Sequence, residues 1–379
     1  SDAAVSFFNN KAKKTNAIMV LPTGSGKSLI IADIAARLDG HTLVFQPSKE
    51  ILEQNYLKLC SYGVLDCSIY SASFGRKEVS RITFATIGSV INHPELFQHF
   101  KNIIIDECHL VNPKEGMYKS FLSMLKCKVL GLTATPYRLS SSRDFGSMLK
   151  FITRTRPCVF SEVIYQVQIS TLLDMGYLAK LNYYAMNPIG WNELNLKVNT
   201  TGADYTDKSV TMEYERIDFY GYLVHIVQRL VNNTVTGSKR KGILVFTRFL
   251  KEAERLTWSI PGTAIVSGDT PKKERERILE AFKAGEIPVV ANVGVLTTGF
   301  DYPELDTIVM ARPTMSLALW YQIVGRAIRP HPNKEAGWIV DLCGNIKRFG
   351  EVKDLRLVDG GNGKWAVYSG YRQLTNVRF

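Results

Sequence analysis

The sequence has no long uninterrupted run of apolar residues. One of its most apolar stretches, LIIADIAARL at 29–38, is short and carries charge, whereas a membrane-spanning helix needs about 20 apolar residues in a row. The first residues, SDAAVSFFNNKAKK, also lack the basic head, apolar stretch and cleavage site of a secretory signal. With 45% hydrophobic residues, the chain is predicted to be a globular cytoplasmic protein without a membrane partner.

Cysteine pairs with metal-binding spacing are also missing. None of the six cysteines belongs to a CxxC pair; they are Cys60, Cys67, Cys108, Cys127, Cys158 and Cys343. We therefore expect neither a disulfide framework nor a structural zinc site, and a reducing compartment fits this composition.

Acidic residues are fewer than basic ones. The chain holds 47 Lys and Arg against 35 Asp and Glu, which gives a formal net charge of +12 and a pI of about 9.3. Such a surplus favours a polyanionic partner, and nucleic acid is the commonest polyanion. Many basic proteins bind no nucleic acid, so charge alone leaves the partner open.

Apolar strand-like runs alternate with amphipathic helical stretches in two series. The first series has predicted strands at 17–21, 42–45, 81–85, 103–105 and 129–132, with helices at 28–38 and 49–61. The second has strands at 242–246, 263–266, 289–291, 307–310 and 337–341, with helices at 220–231, 250–259, 272–284 and 317–327. This alternation predicts an α/β fold with two parallel sheets covered by helices.

A phosphate-binding loop is predicted between the first strand and the first helix of this pattern. Residues 21–28 read LPTGSGKS, in which glycines let several backbone N–H groups point at one phosphate and the following helix adds its positive end. Lys27 would reach the terminal phosphates and the Ser28 hydroxyl would bind Mg²⁺. The predicted nucleotide contacts are Pro22, Thr23, Gly24, Ser25, Gly26, Lys27 and Ser28.

Two acids follow another predicted strand, in the segment IIIDECHL at 103–110. A magnesium nucleotide needs a carboxylate at the same edge of the sheet, where ligands of α/β proteins collect. We expect Asp106 to hold the magnesium and Glu107 to orient and deprotonate the attacking water. Together with the phosphate loop, this pair predicts nucleotide hydrolysis.

Further motifs resemble a known superfamily. The chain reads GLTATP at 131–136, VLTTGFDYP at 295–303 and QIVGRAIR at 322–329. With DECH, these segments resemble the DExH-type helicases and translocases of superfamily 2. Several longer blocks, such as LTATPYRL and SGDTPKKERERILEAF, are similar to the bacterial RadD (YejH) family of DNA-repair ATPases.

The resemblance implies tandem RecA-like domains with ATP in the cleft between them. The expected limits are 1–164 for domain 1, 165–219 for a connector with a small insertion, 220–347 for domain 2 and 348–379 for a tail or hairpin. ATP preference also comes from the resemblance, since the upstream motif that contacts adenine in many relatives is not in this sequence.

The resemblance assigns roles in the cleft as well. Arg326 and Arg329, three residues apart and expected on one helix face, would reach the terminal phosphate from domain 2, with Gln322 one turn earlier. Gly299 and Asp301 would line the cleft, and His109, Thr133 and Thr135 would couple the nucleotide to domain closure. Arg329 alone is also consistent with a solvated helix end, and His109 with a hydrogen-bonded histidine at a strand end.

A nucleic-acid track follows from the same family positions. Its predicted members lie in loops that follow strands, where hydroxyls, amides and cations can bind a sugar–phosphate backbone; they are Gln46, Pro47, Ser48, Thr86, Ser89, Thr247, Arg248, Thr297 and Thr298. Each of them is alternatively an ordinary cap or turn residue.

The function expected from the whole sequence is an ATP- and Mg²⁺-dependent motor, stimulated by single-stranded or branched DNA. It would act as a monomer, with repair or recombination proteins as partners. An RNA helicase and the motor subunit of a restriction or phage-defence complex are the alternatives within the superfamily. A binding module with a degenerate ATP site is a third alternative, against which Lys27, Asp106, Glu107 and the two arginines argue.

Overall fold

The chain folds into two β-sheets with flanking helices and a small third sheet near its end. The computed structural model describes residues 1–142, 146–200, 203–232, 240, 242–296 and 302–377. Among these residues, no helix is long and apolar enough to cross a membrane.

The first sheet has eight strands in the order β10-β1-β7-β6-β2-β5-β3-β4. All neighbours run parallel except β3 and β4. The strands are β1 (Ala17–Val20), β2 (Thr42–Phe45), β3 (Cys67–Ser71), β4 (Arg76–Lys77), β5 (Ile82–Ala85), β6 (Asn102–Asp106), β7 (Lys128–Thr133) and β10 (Glu162–Gln166), and a separate antiparallel pair is formed by β8 (Tyr137–Ser142) and β9 (Gly146–Phe151).

Helices cover both faces of this sheet. They are α1 (Asp2–Asn9), α2 (Lys27–Arg37), α3 (Lys49–Cys60), α4 (Ile87–Val90), α5 (Met117–Ser123) and α6 (Ile169–Asp174). Strands β1, β2 and β5 are buried at every residue, because a parallel sheet with helices on both faces leaves no strand face in water. This double burial explains the continuous apolar runs of the sequence.

The second sheet has six parallel strands in the order β11-β16-β15-β12-β14-β13. They are β11 (Lys180–Ala185), β12 (Ile243–Thr247), β13 (Thr263–Val266), β14 (Val289–Val293), β15 (Thr307–Ala311) and β16 (Ala336–Asp341). The helices of this half are α7 (Asp207–Arg216), α8 (Phe219–Val231), α9 (Leu250–Ser259), α10 (Lys272–Lys283), α11 (Leu317–Val324) and α12 (Asn345–Phe349). The predicted α/β class with two parallel sheets is therefore confirmed.

The remaining elements are short. An antiparallel sheet of β17 (Leu355–Asp359), β18 (Trp365–Ser369) and β19 (Arg372–Gln373) occupies the predicted tail or hairpin. It returns to the first half, where the Gln168 side chain donates to Leu357 O (2.7 Å) and accepts from Leu357 N (3.0 Å). The 3₁₀-helical turns are Ala72–Phe74, Pro94–Phe97, Cys108–Leu110, Ile152–Arg154, Glu193–Asn195 and Val352–Asp354.

Of the strands that the structure describes before the tail, the sequence pattern missed six, namely β3, β4, β8, β9, β10 and β11. Strands β10 and β11 lie at the edges of their sheets, and their residues are mostly only partly buried or exposed. Edge strands carry mixed polar and apolar residues because one flank is open, so the continuous apolar signal of a central strand is absent. The predicted domain limit at 164 falls inside β10.

The segment 165–219 was expected to be a connector with a small insertion, and the structure corrects this expectation. Strand β11 pairs with β16 over its full length, so part of the segment extends the second sheet. Helix α7 packs on that half through Tyr214, whose ring stacks on Phe219 with centroids 3.9 Å apart. Burial of these aromatic side chains makes the segment an integral layer of the second half.

Candidate nucleotide site in the cleft between the two sheets

The phosphate loop curls between β1 and α2 as its glycines require. Gly24 and Gly26 have φ angles of +82° and +78°, a left-handed conformation that side chains disfavour. A Cβ atom on Gly24 would lie 2.6 Å from Cδ2 of Leu178. Helix α2 begins at Lys27, so its N-terminal amides and positive dipole end face the loop, as an anion site requires.

The two acids lie beside this loop because of the strand order. Strand β7 is hydrogen-bonded to β1 on one side and to β6 on the other, and Leu21 N donates to Thr133 O over 2.9 Å. The Glu107 carboxylate forms an ion pair with Lys27 Nζ. Asp106 Oδ1 accepts from Glu107 N over 2.9 Å. The structure therefore brings Lys27, Asp106 and Glu107 into one cluster.

The cluster is electrostatically coupled. Burial raises the pKa of the Glu107 carboxyl, but Lys27 and His109 outweigh it and hold that pKa at about 2. Burial likewise lowers the pKa of Lys27, but Glu107 and Asp106 outweigh it and raise that pKa above its usual value. Burial raises the pKa of Asp106 to about 6 despite the nearby Lys27. Glu107 is thus ionised throughout the physiological pH range, and Asp106 takes up a proton far more readily than Glu107 does.

Glu107 has an uncommon backbone conformation, with φ and ψ both at 48°. Non-glycine residues rarely adopt this left-handed region, and such positions cluster at functional sites.

His109 connects the acids to the end of β7. Its Nδ1 atom lies 2.9 Å from Thr133 Oγ1 and 3.1 Å from Thr135 Oγ1, and 3.3 Å from Glu107 Oε2. All four residues are buried or partly buried. The arrangement fits the predicted coupling role, because a shift of Glu107 would displace His109 and with it the segment that follows β7.

The second half reaches the phosphate loop through α11. The Tyr321 hydroxyl accepts a hydrogen bond from Thr23 N over 3.3 Å, and a Cβ atom on Gly325 would lie 3.2 Å from Thr23 Cγ2. Burial lowers the pKa of Arg326 to about 10, partly offset by attraction to Glu107. The guanidinium of the second half therefore shares the electrostatic environment of the acids of the first.

A cleft of about 590 Å³ opens beside this contact. Residues of both halves line it: Pro47, Ser48, Glu107, His109, Leu110, Tyr137, Arg138, Leu139, Leu149, Ser316, Ala318, Leu319 and Gln322. Gln322 thus faces the same space as Glu107.

The predicted helical placement of the two arginines is wrong. Helix α11 ends at Val324, and Arg326 and Arg329 follow in a turn. Arg326 N bonds to Ile323 O (3.0 Å) and Ala327 N to Val324 O (3.1 Å), so i→i−3 bonds replace the α-helical pattern. Both side chains remain partly buried.

Asp106 and Ser28 fit a magnesium ion. Ser28 is exposed in the first turn of α2 and Asp106 is buried at the end of β6, where a divalent cation would offset the cost of ionising it. In the part of the chain that the structure describes, no group of three or more His, Cys, Asp or Glu forms a closed metal cage. Magnesium does not require one, since it takes several ligands from water and phosphate.

The predicted nucleic-acid residues of the first half lie at the same sheet edge. Residues 46–48 follow β2 and Thr86 follows β5, and these strands are neighbours. Thr86 Oγ1 and Ser89 Oγ lie 2.9 Å apart, and Ser48 Oγ accepts from Ile51 N over 3.4 Å as the cap of α3. The side-chain amide of Gln46 is buried and has no hydrogen-bond partner among the described residues.

The two predicted track residues after β12 have structural partners instead. Thr247 is buried, with Oγ1 donating to Asn292 O over 3.3 Å. The Arg248 guanidinium binds Asp207 (2.8 Å), Asp204 (3.3 Å) and the Tyr205 carbonyl (2.6 Å). We therefore remove Thr247 and Arg248 from the track. Thr297, Thr298, Gly299 and Asp301 lie outside the described residues.

Lys334 is a residue of the site that the sequence analysis missed. Its buried Nζ donates to Pro303 O (2.8 Å), Ala327 O (3.0 Å) and Leu305 O (3.1 Å). It thereby joins the turn of Arg326 to the segment that follows TTGFD. Lys334 lies in an unremarkable turn, HPNKEAG, so no sequence signal marks it.

The fold and the site define a class. Two parallel sheets, with α11 of the second seated against the phosphate loop of the first, form the tandem RecA-like arrangement of a nucleotide-binding protein. A family model described as "Type III restriction enzyme, res subunit" matches residues 2–138, and one described as "Helicase conserved C-terminal domain" matches 223–331. Together these two models cover parts of both sheets, so both halves of the chain are similar to superfamily 2 helicases and translocases.

Curated relatives match most of the chain at low identity. A "51.5 kDa protein" of a Lactococcus phage is 26% identical over 87% of this chain and 66% of its own length. The "DNA 3'-5' translocase XPB2" of Sulfurisphaera tokodaii is 26% identical over 86% of this chain and 77% of its own. The chain spans only 50% and 48% of two other relatives.

Solved structures agree on the fold. An ATP-dependent Type ISP restriction-modification enzyme, LlaBIII bound to DNA, superposes with a TM-score of 0.66 at 18% identity, over 89% of this chain and 27% of that one. S. cerevisiae Dbp5 bound to RNA and ADP BeF3 gives a TM-score of 0.55 at 14% identity, over 89% and 80%.

Replacing Lys334 tests its role in holding the two segments together. Lys334→Met should lower the free energy of unfolding by about 2–4 kcal/mol, because three carbonyls, two of them in buried hydrogen bonds, lose their donor. Hydrogen exchange should rise selectively at 302–306 and 325–330, and Lys334→Arg should restore part of the protection. Lys353→Met removes a surface lysine paired with Glu351 and should cost under about 0.5 kcal/mol. Uniform exchange changes across the chain would contradict the local role.

Proposed function

We propose that this chain is the motor core of an ATP- and Mg²⁺-dependent helicase or translocase that acts on DNA. The observation that carries this proposal is the meeting of the two halves at the phosphate loop. Lys27 and Glu107 of the first half share one charged cluster with Arg326 of the second, so the catalytic set is complete only when the cleft is closed. A motor needs this dependence to link hydrolysis to domain movement.

In this proposal Lys27 exchanges partners during the cycle. Its ammonium neutralises Glu107, and the phosphates of ATP would draw it away. The released carboxylate then orients the attacking water and accepts its proton. Ser28 and Asp106 would hold Mg²⁺, which supplies charge neutralisation at the phosphates.

The second half completes the chemistry. Arg326 would neutralise the charge that develops on the terminal phosphate, with Arg329 and Gln322 beside it. Loss of that phosphate would change the position of the Thr133–Thr135 segment through its contact with His109. Reopening of the cleft then releases the grip of residues 46–48, Thr86 and Ser89 on the strand.

DNA is proposed as the substrate on two grounds. The net charge of +12 suits a phosphate backbone, and XPB2 is named a DNA translocase. We further propose a repair or recombination role, carried only by the blocks that resemble RadD proteins. The motor of a restriction complex is the second candidate, favoured by the description of the family model that matches 2–138.

The panel that tests the proposal measures ATP hydrolysis without polymer, with single-stranded DNA, duplex DNA, a fork and RNA. Stimulation by DNA over RNA is expected. Preferential stimulation by RNA would overturn the substrate, and no hydrolysis under any condition would overturn the motor. ATP hydrolysis that requires a co-purifying nuclease subunit would favour the second candidate, the motor of a restriction complex.

Glu107→Gln separates binding from chemistry. Hydrolysis should fall at least about 100-fold, because the water loses its base. ATP affinity should be equal or higher, because ATP binding no longer has to break an ion pair between Lys27 and the carboxylate of residue 107. A fluorescent-nucleotide titration and single-turnover phosphate release measure the two effects, with the exposed Glu115→Gln as control. Near-normal turnover would show that Glu107 is not the base.

Arg326→Ala tests the contribution of the second half. Turnover should fall about 1,000-fold, the scale of an arginine that stabilises phosphoryl transfer, while ATP affinity changes only a few-fold. Arg277→Ala, at an exposed arginine paired with Glu274, should leave turnover unchanged. If Arg326→Ala weakens ATP binding as much as turnover, the arginine contacts the ground state and the finger role is wrong.

A further inference from the structure

A basic groove lies at the edge of the first sheet opposite the nucleotide. It is about 1220 Å³ in volume and is formed by the end of α1, the segment before β1 and the turns that lead into β2, β6 and β7. Six lysines line it, namely Lys11, Lys13, Lys14, Lys101, Lys126 and Lys128, and Asp39 is its one acidic lining residue among those described. We call this surface the lysine groove.

Two of the six lysines are committed to the fold. Lys128 Nζ donates to Phe7 O and to Asn10 O (2.8 Å) and lies 4.3 Å from the centroid of the Phe7 ring, which fastens α1 to β7. Lys13 forms an ion pair with Glu162. These two lysines hold the walls of the groove in place.

The other four lysines are available to a ligand. Lys11, Lys14, Lys101 and Lys126 are exposed, and the described part of the chain places no carboxylate within 4.0 Å of their ammonium groups. Like charges gathered along one groove repel each other. A polyanion that follows the groove would relieve this repulsion.

We propose that the lysine groove is a second binding site for nucleic acid, which holds the phosphate backbone of a DNA segment outside the motor track. The inference rests on the proposed function for its choice of DNA. The groove is open and is lined by flexible point charges rather than by a fixed fork of donors. Such a lining suits a repeating phosphate backbone better than one small anion.

The position of the groove sets which DNA it holds. Strands of four to six residues separate it from the opposite edge, about 13–20 Å away, where residues 46–48, Thr86 and Ser89 lie. A short single strand that the track binds along its length leaves no free segment to occupy the groove. A duplex of 40 base pairs is too stiff to bend around the first half, so it would lie along the groove itself. A fork can place one arm on the track and the other along the groove.

The test compares two quadruple variants that remove the same charge. One replaces Lys11, Lys14, Lys101 and Lys126 by Gln, and the other replaces the exposed lysines of the second half, Lys208, Lys272, Lys273 and Lys353. Affinity is measured from 50 to 200 mM salt for a 10-nucleotide single strand, a 40-base-pair duplex and a fork with 20-base-pair arms. Thermal unfolding and ATP hydrolysis without polymer establish that each variant is folded and intact.

The groove variant should lose at least about tenfold in affinity for the duplex and the fork, and little for the short strand. Its slope of log K against log salt should fall by about 3.6, since each of the four phosphate contacts that are lost contributes about 0.9. The second-half variant should change both quantities much less. Equal losses in the two variants, or an unchanged groove variant, would overturn the proposal.

Competition identifies the class of ligand. Duplex DNA should displace labelled duplex from the groove far better than polyglutamate of equal charge, and equal competition would make the groove a site for acidic protein instead. The two proposals fail separately. A wild-type protein that binds long DNA through the groove but hydrolyses no ATP would support the groove proposal and overturn the motor proposal. A wild-type protein whose ATP hydrolysis is stimulated by DNA, together with a groove variant of unchanged DNA affinity, would support the motor and overturn the groove.

Discussion

The ion pair between Lys27 and Glu107 is the interaction on which the rest of the site depends. It places a lysine of the phosphate loop against an acid that follows β6, across the intervening strand β7. Two charges in a partly buried position are stable only when each has a partner. The two charges therefore form a neutral pair, and in the proposed mechanism a nucleotide would rearrange that pair before chemistry begins.

The parallel sheet explains why these groups meet at all. All strands that carry site residues end at the same edge, so a short loop after β1 and an acid after β6 come together although 80 residues separate them. The second sheet then adds its own groups through Tyr321 and the turn of Arg326. The same geometry leaves the opposite edge of the first sheet free, and the lysine groove occupies it.

The core of the fold was predictable because central strands are buried on both faces. The predicted range 42–45 coincides with β2, and the predicted range 307–310 covers all of β15 except its last residue. The edge strands β10 and β11 were not predictable, since one open flank allows polar residues to interrupt the pattern. The end of α11 at Val324 was missed for a different reason, because its last turns tighten where Gly325 packs against Thr23 of the other half.

The sequence by itself determined the phosphate loop, the acid pair and the order of the motifs, because each depends on local geometry or on residue chemistry at fixed spacing. Tertiary structure decided which side chains remain available. Arg248 matches a track position in sequence, yet Asp204 and Asp207 neutralise it. Lys334 belongs to none of the sequence motifs, yet its side chain joins two segments that carry motifs or adjoin them. Both outcomes depend on residues that are distant in the sequence, because a buried charge is paired with whichever group the fold places beside it.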